Sequence, residues 1–206
     1  MARSKSSSRW LQEHFSDDFV QRSKSEHYRS RAVYKLIELD EKDALIRPGM
    51  RILELGAAPG GWTQYLAEKL DGRGTIVASD ILPMDTFADI RFVQGDFREE
   101  AVLQQILDAL GDEKADLVLS DMAPNLSGVA GTDQARSMYL AELALDTALQ
   151  VLNDDGVFTA KLFQGEGFDD FMKQVRERFR KVVIRKPKAS RPRSREVYAV
   201  ASGLRL

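Results

Sequence analysis

From residue 51 onward, short apolar segments of strand length alternate with longer segments of helical periodicity. We predict strands at 51–55, 74–80, 90–93, 115–120, 156–162, 181–185 and 197–202. We predict helices between them at 62–70, 99–110, 137–152 and 168–179. Apolar strands separated by helices are typical of a mostly parallel sheet with helices on both faces. The sequence therefore predicts an α/β fold.

The segment before this alternation has a different character. It contains two predicted helices, at 9–24 and 30–43, and the Arg47-Pro48-Gly49 sequence then interrupts the chain. We expect a single domain over 1–206, made of a basic N-terminal helical segment, 1–45, and a catalytic core, 46–206. The polar, basic start does not resemble a secretory signal, and no apolar run has the length of a membrane span. We therefore expect a cytoplasmic protein without a membrane partner.

The composition excludes several kinds of chemistry. The chain has no cysteine, which excludes disulfides, thiolate zinc sites, iron–sulfur clusters and a cysteine nucleophile. It has two histidines, His14 and His27, and both lie in the N-terminal segment, far in sequence from the acidic motifs. We interpret them as ordinary surface or packing residues and expect no metal site.

A glycine-rich turn follows the first strand of the core. It runs from Gly56 to Trp62 and includes Gly60. Glycines permit a tight turn and the close approach of a ligand to the backbone. The turn lacks both the G-x-G-x-x-G fingerprint of dinucleotide-binding proteins and the Gly-Lys-Ser/Thr of a phosphate-binding loop. It therefore does not predict a pyrophosphate ligand.

Charged residues lie at the ends of four successive later strands. Asp80 ends the second strand, Asp96 follows the third, Asp121 follows the fourth, and Lys161 lies at the end of the fifth. Ligands of such sheets bind at the carboxyl ends of the strands. The predicted pocket is acidic with one lysine, and an acid at the second strand end suits a ribose diol. S-adenosylmethionine, which carries a sulfonium, an ammonium and a ribose, fits such a pocket.

Several stretches along nearly the whole chain resemble those of one family. They are SSRWLQEHFSDDFV, RSRAVYKL, LELGAAPGGWTQYL, LPMD, QGDFRE, SDMAPNLSG, KLFQGEGFD and KPKASRPRSREVY. The chain resembles the FtsJ/RrmJ (RlmE) family of ribosomal RNA large-subunit methyltransferases. The resemblance implies a Rossmann-like methyltransferase fold with a seven-stranded sheet whose last strand is inserted antiparallel.

The resemblance also implies the roles of individual residues. S-adenosylmethionine would be the methyl donor, with Gly60 and Trp62 contacting it in the glycine turn. Asp80 would hold its ribose, Asp96 its adenine end and Asp121 its methionine end. The catalytic tetrad of the family falls on Lys35, Asp121, Lys161 and Glu196.

The resemblance implies that the acceptor is the ribose 2′-hydroxyl of a uridine in the A-loop of 23S rRNA, within the large ribosomal subunit or a late precursor of it. A ribose hydroxyl is a weak nucleophile, and a positioned base contributes about 10²–10⁴-fold. Lys161 is the candidate base; as a charged residue it would instead stabilise the forming alkoxide. We expect the enzyme to act as a monomer.

Basic residues are concentrated at the two ends of the chain. The net charge of −2 comprises +4 over 1–35, −16 over 36–172 and +10 over 173–206. We predict that the basic ends meet beside the tetrad and bind RNA phosphates. The residues concerned are Arg3, Lys5, Arg9, Lys24, Arg29, Arg31, Arg180, Lys181, Arg185, Lys186, Lys188, Arg191, Arg193 and Arg195.

Three other functions remain open at this point. The enzyme could methylate the 2′-hydroxyl of a tRNA or another RNA, or the protein could be a largely non-catalytic ribosome assembly factor. Base methylation is a third alternative, but adenine N6 enzymes carry an aromatic residue in their Asp/Asn-Pro-Pro motif. The corresponding segment here, Asp121 to Asn125, has none to stack a flipped base.

Overall fold

The computed structural model describes residues 17–85, 87–125 and 127–205. Within them the helices are α1 Asp18–Ser25, α2 Val33–Asp43, α3 Gly61–Leu70, α4 Glu100–Leu110, α5 Ala130–Val151 and α6 Phe168–Arg178. The strands are β1 Arg51–Leu55, β2 Thr75–Asp80, β3 Ile90–Gln94, β4 Ala115–Ser120, β5 Leu152–Phe163, β6 Phe179–Arg185 and β7 Glu196–Leu204.

The strands form one sheet in the order β3-β2-β1-β4-β5-β7-β6. The pairs among β3, β2, β1, β4 and β5 are parallel, while β7 is antiparallel to both β5 and β6. This confirms the predicted α/β fold with its mostly parallel, seven-stranded sheet and inserted antiparallel strand. The reversed strand brings Glu196, its first residue, to the edge where the parallel strands end.

Helices cover both faces of the sheet. On one face, α2 and α3 contribute Leu36 and Leu66 to a buried apolar cluster. On the other face, α4, α5 and α6 bury residues such as Ile106 and Phe171. Each of these helices therefore turns an apolar side toward the sheet, which gives the two-sided packing expected for a parallel sheet.

Two boundaries differ clearly from the sequence prediction. Helix α5 begins at Ala130 rather than at 137, because its polar first turns are stabilised locally. The carboxylate of Asp133 accepts hydrogen bonds from the backbone N–H groups of Ser127 and Gly128. Strand β5 begins at 152 rather than at 156, and its register with β4 shifts between residues 115 and 117. The turn-forming residues 153–155 thus lie in an irregular part of a strand.

The N-terminal segment is described from Asp17 onward. Of the predicted helix at 9–24, the described part is α1, at 18–25, and the second predicted helix begins at Val33. His14, Arg3, Lys5 and Arg9 lie outside the described residues. No helix in the described ranges is long and apolar enough to cross a membrane.

Candidate active site

The predicted tetrad residues come from four different elements and meet at the carboxyl edge of the sheet. Asp121 follows β4, and Lys161 lies near the end of β5. Glu196 begins β7, where it lies opposite Phe163 in the antiparallel ladder. Lys35 comes from the first turn of α2, which packs on one face of the sheet. The structure brings them together as two ion pairs.

The first pair is formed by Lys161 and Asp121. Lys161 Nζ donates to the backbone carbonyl of Asp121 at 2.5 Å and lies 3.2 Å from the carboxylate Oδ1. The Lys161 side chain is 8% exposed and that of Asp121 is 16% exposed. The Lys161 side chain is therefore largely buried, and its ammonium is held by Asp121.

The second pair is formed by Lys35 and Glu196. Lys35 Nζ lies 2.7 Å from Glu196 Oε1 and donates to Oε2 at 2.9 Å. Glu196 also accepts a hydrogen bond at 2.8 Å from the hydroxyl of Ser190. Both side chains of the pair are largely buried. The carboxylate of Glu196 is thus held from two directions.

Tyr198 connects the two pairs, and the sequence analysis did not identify it. Its hydroxyl donates to Asp121 Oδ1 at 2.6 Å, and its ring centroid lies 5.9 Å from Lys35 Nζ. Burial, with the nearby charge of Asp121, raises the pKa of Tyr198 well above its usual value, so the hydroxyl remains a donor. Side chains alternate along a strand, so Tyr198 shares the face of Glu196. This spacing was the signal that could have indicated it.

The glycine turn after β1 is tightly packed. Gly60 has a φ of +101°, and a Cβ built on it would lie 2.8 Å from both Met84 Sδ and Arg29 Nη1. Gly56 has a φ of +81°, and its Cβ would lie 2.8 Å from Met122 Cγ. Both positions therefore require glycine for conformational and steric reasons. The turn consequently presents its backbone at the carboxyl edge of β1.

Asp80 lies directly beside this turn. Its Oδ2 accepts a hydrogen bond from the N–H of Ala58 at 2.9 Å, and its Oδ1 accepts one from the N–H of Leu82 at 2.8 Å. Each carboxylate oxygen can accept two hydrogen bonds, so Asp80 retains capacity for two hydroxyl donors. The backbone holds the carboxylate in place without saturating it.

Of the two remaining predicted cofactor contacts, Asp96 forms an ion pair with Arg98, whereas Trp62 is buried. Asp96 follows β3 and is paired with Arg98, whose hydrogen bonds lower the pKa of the Asp96 carboxyl. The indole of Trp62 is 3% exposed, donates to Ala32 O at 2.8 Å and packs against Tyr198. Trp62 is therefore buried as a packing residue, and its predicted contact with a cofactor stays a prediction.

A buried carboxyl group, Glu54, lies near the end of β1. It is 1% exposed and accepts a hydrogen bond at 2.7 Å from the hydroxyl of Thr63. Desolvation, together with the charges of Asp121 and Asp80, raises the pKa of Glu54 to about 8. The site therefore contains one acid that stays largely protonated at neutral pH.

No cluster of metal-ligating side chains occurs in residues 17–85, 87–125 and 127–205. The expectation that the protein binds no metal stays a prediction.

The basic ends of the chain do meet, as predicted, but not with all their residues. Arg31 Nη2 donates to Ala189 O at 2.6 Å, and the carboxylate of Asp17 lies between Arg31 and Arg191, at 3.3 and 4.0 Å. The prediction is wrong for Arg180 and Lys181. They lie at the start of β6, near the end of β7, and Arg180 lies 3.6 Å from Asp155 at the opposite edge of the sheet. The two ends of a strand lie on opposite sides of the sheet along the strand direction. Arg180 and Lys181, at the start of β6, are therefore separated from the basic residues that follow its end, although they are close to them in sequence.

Comparison with known proteins assigns the family. A family model described as FtsJ-like methyltransferase matches residues 28–204. A protein from Alcanivorax borkumensis named Ribosomal RNA large subunit methyltransferase E is 59% identical over 204 residues, covering 99% of this chain and 98% of the relative. One of the same name from Chromohalobacter salexigens is 62% identical over 200 residues, covering 97% and 95%.

A solved structure shows the same relationship in three dimensions. The crystal structure of a Plasmodium falciparum protein, provisionally described as a ribosomal RNA methyltransferase, matches with a TM-score of 0.73 and 30% identity. The match covers 86% of this chain and 98% of that one. The sequence and structural matches agree: the chain belongs to the FtsJ-like methyltransferase family.

Proposed function

We propose that this methyltransferase transfers a methyl group from S-adenosylmethionine to the ribose 2′-hydroxyl of a uridine in the A-loop of 23S rRNA, during maturation of the large ribosomal subunit. The observation that carries the proposal is the meeting of two lysine–carboxylate pairs, Lys161–Asp121 and Lys35–Glu196, at the carboxyl edge beside the glycine turn. The names of the full-length relatives, Ribosomal RNA large subunit methyltransferase E, support the rRNA substrate.

The residues around the glycine turn fit the proposed methyl donor. When bound, S-adenosylmethionine would supply an electrophilic methyl group on a sulfonium. Asp80 retains two hydrogen-bond sites for a ribose diol. We assign Asp96, which follows the neighbouring strand β3, to the adenine end. Asp121 contributes negative charge on the side of the tetrad, where a cationic methionine end would be favoured. Gly60, with a φ of +101°, allows the turn that carries the backbone past the end of β1.

Lys161 is the residue that we place at the 2′-oxygen. An ammonium has three N–H donors; one donates to the backbone carbonyl of Asp121, and the Asp121 carboxylate forms an ion pair with the same group. A donor that is not used in this way can orient the ribose hydroxyl and stabilise the negative charge that develops on its oxygen. These contacts favour the charged role over that of a general base. The alignment of the hydroxyl with the methyl group provides a further part of the rate enhancement.

Lys35 and Glu196 are placed to position the ribose. Lys35 lies 5.9 Å from the ring centroid of Tyr198, and its charge and that of Glu196 largely neutralise each other. A neutral, hydrogen-bonding pair can contact a sugar hydroxyl without attracting a second cation. We assign them the orientation of the target nucleotide and Asp121 the link between cofactor and lysine.

The loop at residues 186–195 is the proposed RNA-binding element, because it carries basic residues at the tetrad edge. Replacing Arg191, Arg193 and Arg195 together by alanine should weaken RNA binding. It should also reduce the slope of log Kd against log salt by up to about 2, at about 0.7 per phosphate contact on a single strand. Replacing Arg180 and Lys181, at the opposite edge, is the matched control and should leave the slope unchanged. An equal slope in both variants would contradict the assignment.

The decisive experiment is methyl transfer to purified large subunits that lack the modification. Labelled S-adenosylmethionine is used, the rRNA is digested to nucleosides, and Lys161→Ala is compared with Lys173→Ala, an exposed lysine on α6. We expect labelled 2′-O-methyluridine from the wild type and from Lys173→Ala, and a rate lower by about 10²–10⁴-fold for Lys161→Ala.

Other results of this assay would identify the alternatives. Label in a base would overturn the ribose assignment, and RNA binding without any label would support an assembly factor. Label on naked rRNA or tRNA but not on subunits would change the proposed partner. We also propose that the enzyme acts in the cytoplasm and as a monomer. Sedimentation of the free enzyme and of its complex with subunits tests the oligomeric state.

A further inference from the structure

The loop at residues 186–195 leads directly into Glu196. It contains no helix or strand, so its position depends on the hydrogen bonds that it makes. Within the loop, Ser190 N donates to Pro187 O at 3.0 Å and Ser194 N donates to Arg191 O at 2.9 Å. These two turns shape the loop but do not attach it to the rest of the protein. Several contacts attach it: Arg31 Nη2, just before α2, donates to Ala189 O at 2.6 Å, Gln164 N donates to Arg195 O at 3.1 Å, and α2 contributes the carboxylate of Glu38.

Glu38 of α2 holds the backbone of this loop. Its Oε2 accepts a hydrogen bond from the N–H of Lys188 at 2.7 Å, and its Oε1 accepts one from the N–H of Ala189 at 2.8 Å. One carboxylate therefore binds two consecutive backbone N–H groups, an arrangement that fixes both the distance and the orientation of the loop. Hydrogen bonds to an ionised acceptor are short and stronger than neutral ones.

The attachment continues to the catalytic edge within two residues. Ala189, held by Glu38, is fully buried, and the next residue, Ser190, is also buried. The hydroxyl of Ser190 donates to Glu196 Oε1 at 2.8 Å, the same oxygen that lies 2.7 Å from Lys35 Nζ. Glu196 thus has two partners, one on α2 and one on the loop, and a shift of the loop would change the relation between them.

Both connections originate from one helix. Lys35 and Glu38 are three residues apart on α2 and so lie on the same face of the helix. Lys35 contacts Glu196 directly, whereas Glu38 reaches it through Lys188, Ala189 and Ser190. We propose that Glu38 is a positioning residue: by clamping the loop to α2, it sets the place of Glu196 against Lys35. The inference rests on the proposed function of Glu196 in methyl transfer.

The expected consequence follows from how sensitive such sites are to geometry. A misplacement of about 1 Å can reduce the rate by about 10²-fold. Glutamine at position 38 keeps the size of the side chain and one acceptor oxygen, but directs an NH₂ group toward a backbone N–H. The Glu38→Gln variant should therefore release one of the two bonds. We expect kcat to fall by about 10- to 100-fold, with the Kd of S-adenosylmethionine unchanged, because Asp80 and the glycine turn are not touched.

Amide hydrogen exchange tests the clamp without reference to activity. In the wild type, the amides of Lys188 and Ala189 should be protected, and Glu38→Gln should expose them. Glu41→Gln, an exposed residue on the same helix, is the matched control and should leave the protection unchanged. Equal exchange in the wild type and Glu38→Gln would overturn the proposal, whatever product the enzyme makes.

A double-mutant cycle with Glu196→Gln separates positioning from general stabilisation. If Glu38 acts through Glu196, Glu38→Gln should cause little further loss of kcat when Glu196 is already replaced. Losses that multiply, or a lower Tm with an unchanged kcat, would assign Glu38 a merely structural role and overturn the proposal. Ser190→Ala provides a second entry into the same cycle if Glu38→Gln folds poorly.

The controls distinguish failure of this inference from failure of the proposed function. A wild type that yields no 2′-O-methyluridine refutes the function, and the exchange measurement still decides whether the clamp exists. A Glu196→Gln variant with wild-type kcat refutes the action of Glu38 through Glu196, while the 2′-O-methyluridine product of the wild type would still stand.

Discussion

The buried carboxyl of Glu54 should make the stability of the folded protein depend on pH. Its pKa is raised from 4.5 to about 8 in the folded state, because burial penalises the charged form. Below about pH 4.5 the group is protonated in both states and has no effect. As the pH rises from there toward 8, the unfolded chain ionises while the folded protein does not, so the folded state loses stability.

The size of this effect can be worked out from the shift. At 1.36 kcal/mol per pKa unit, the loss is about 1 kcal/mol at pH 5, about 3 kcal/mol at pH 7 and about 4 kcal/mol at pH 8. Glu54→Gln removes the titration and keeps an oxygen that can accept the hydrogen bond of Thr63. The free energy of unfolding of the variant should therefore exceed that of the wild type by an amount that grows by about 3 kcal/mol from pH 5 to pH 8.

Urea unfolding of both proteins at pH 5, 6, 7 and 8 measures this difference, and other titrating groups cancel in the comparison. Glu142→Gln, an exposed glutamate on α5, is the matched control and should follow the wild type at every pH. A difference between Glu54→Gln and the wild type that stays constant across this range would refute the reasoning. It would mean that Glu54 ionises in the folded protein as readily as in the unfolded chain.

Three further predictions follow from the site. Tyr198→Phe removes the hydroxyl that donates to Asp121, so thermal unfolding should show a free energy of unfolding that is lower by about 1 kcal/mol. The activity of this variant should fall less than that of Lys161→Ala. Gly60→Ala places a Cβ at 2.8 Å from Met84 Sδ in a left-handed conformation, so calorimetry should show weaker binding of S-adenosylmethionine together with a lower Tm. Asp80→Asn should weaken the same binding by about tenfold while the Tm changes little, because an amide accepts fewer hydrogen bonds from a diol.

The sequence predicted the architecture well because its signals were local. Strands such as 51–55 and 115–120 are mostly apolar and bounded by turn residues, and the structure has them with the same limits. The charged strand ends then follow from a general property of parallel sheets. The start of α5 was missed because the polar segment from Ala130 shows no apolar periodicity, and its helix is stabilised by the Asp133 side chain instead.

Pairwise geometry was not available from the sequence. The motifs named Lys35, Asp121, Lys161 and Glu196 as one set, but did not indicate which lysine faces which carboxylate. That depends on the register between β5 and β7 and on the docking of α2, both of which join residues more than thirty positions apart. The position of Arg180 was also not predictable from sequence proximity. It lies at the start of β6, a strand of seven residues, and is therefore distant from the basic residues that follow the end of that strand.

The direction of β7 explains why these residues can form one site. Had β7 run parallel to β5, its final residues, near Leu204, would lie at the catalytic edge, and Glu196 would lie at the opposite one. The antiparallel insertion instead places Glu196 and Tyr198 beside Lys161, and it places the loop at 186–195 over the same edge. Contacts from outside the sheet then hold the loop, from Glu38 on α2 and from Arg31 just before that helix. The N-terminal helical segment thus does more than cover the sheet: through Lys35 and Glu38 it contributes to the proposed site, so its removal should abolish activity even if the sheet still folds.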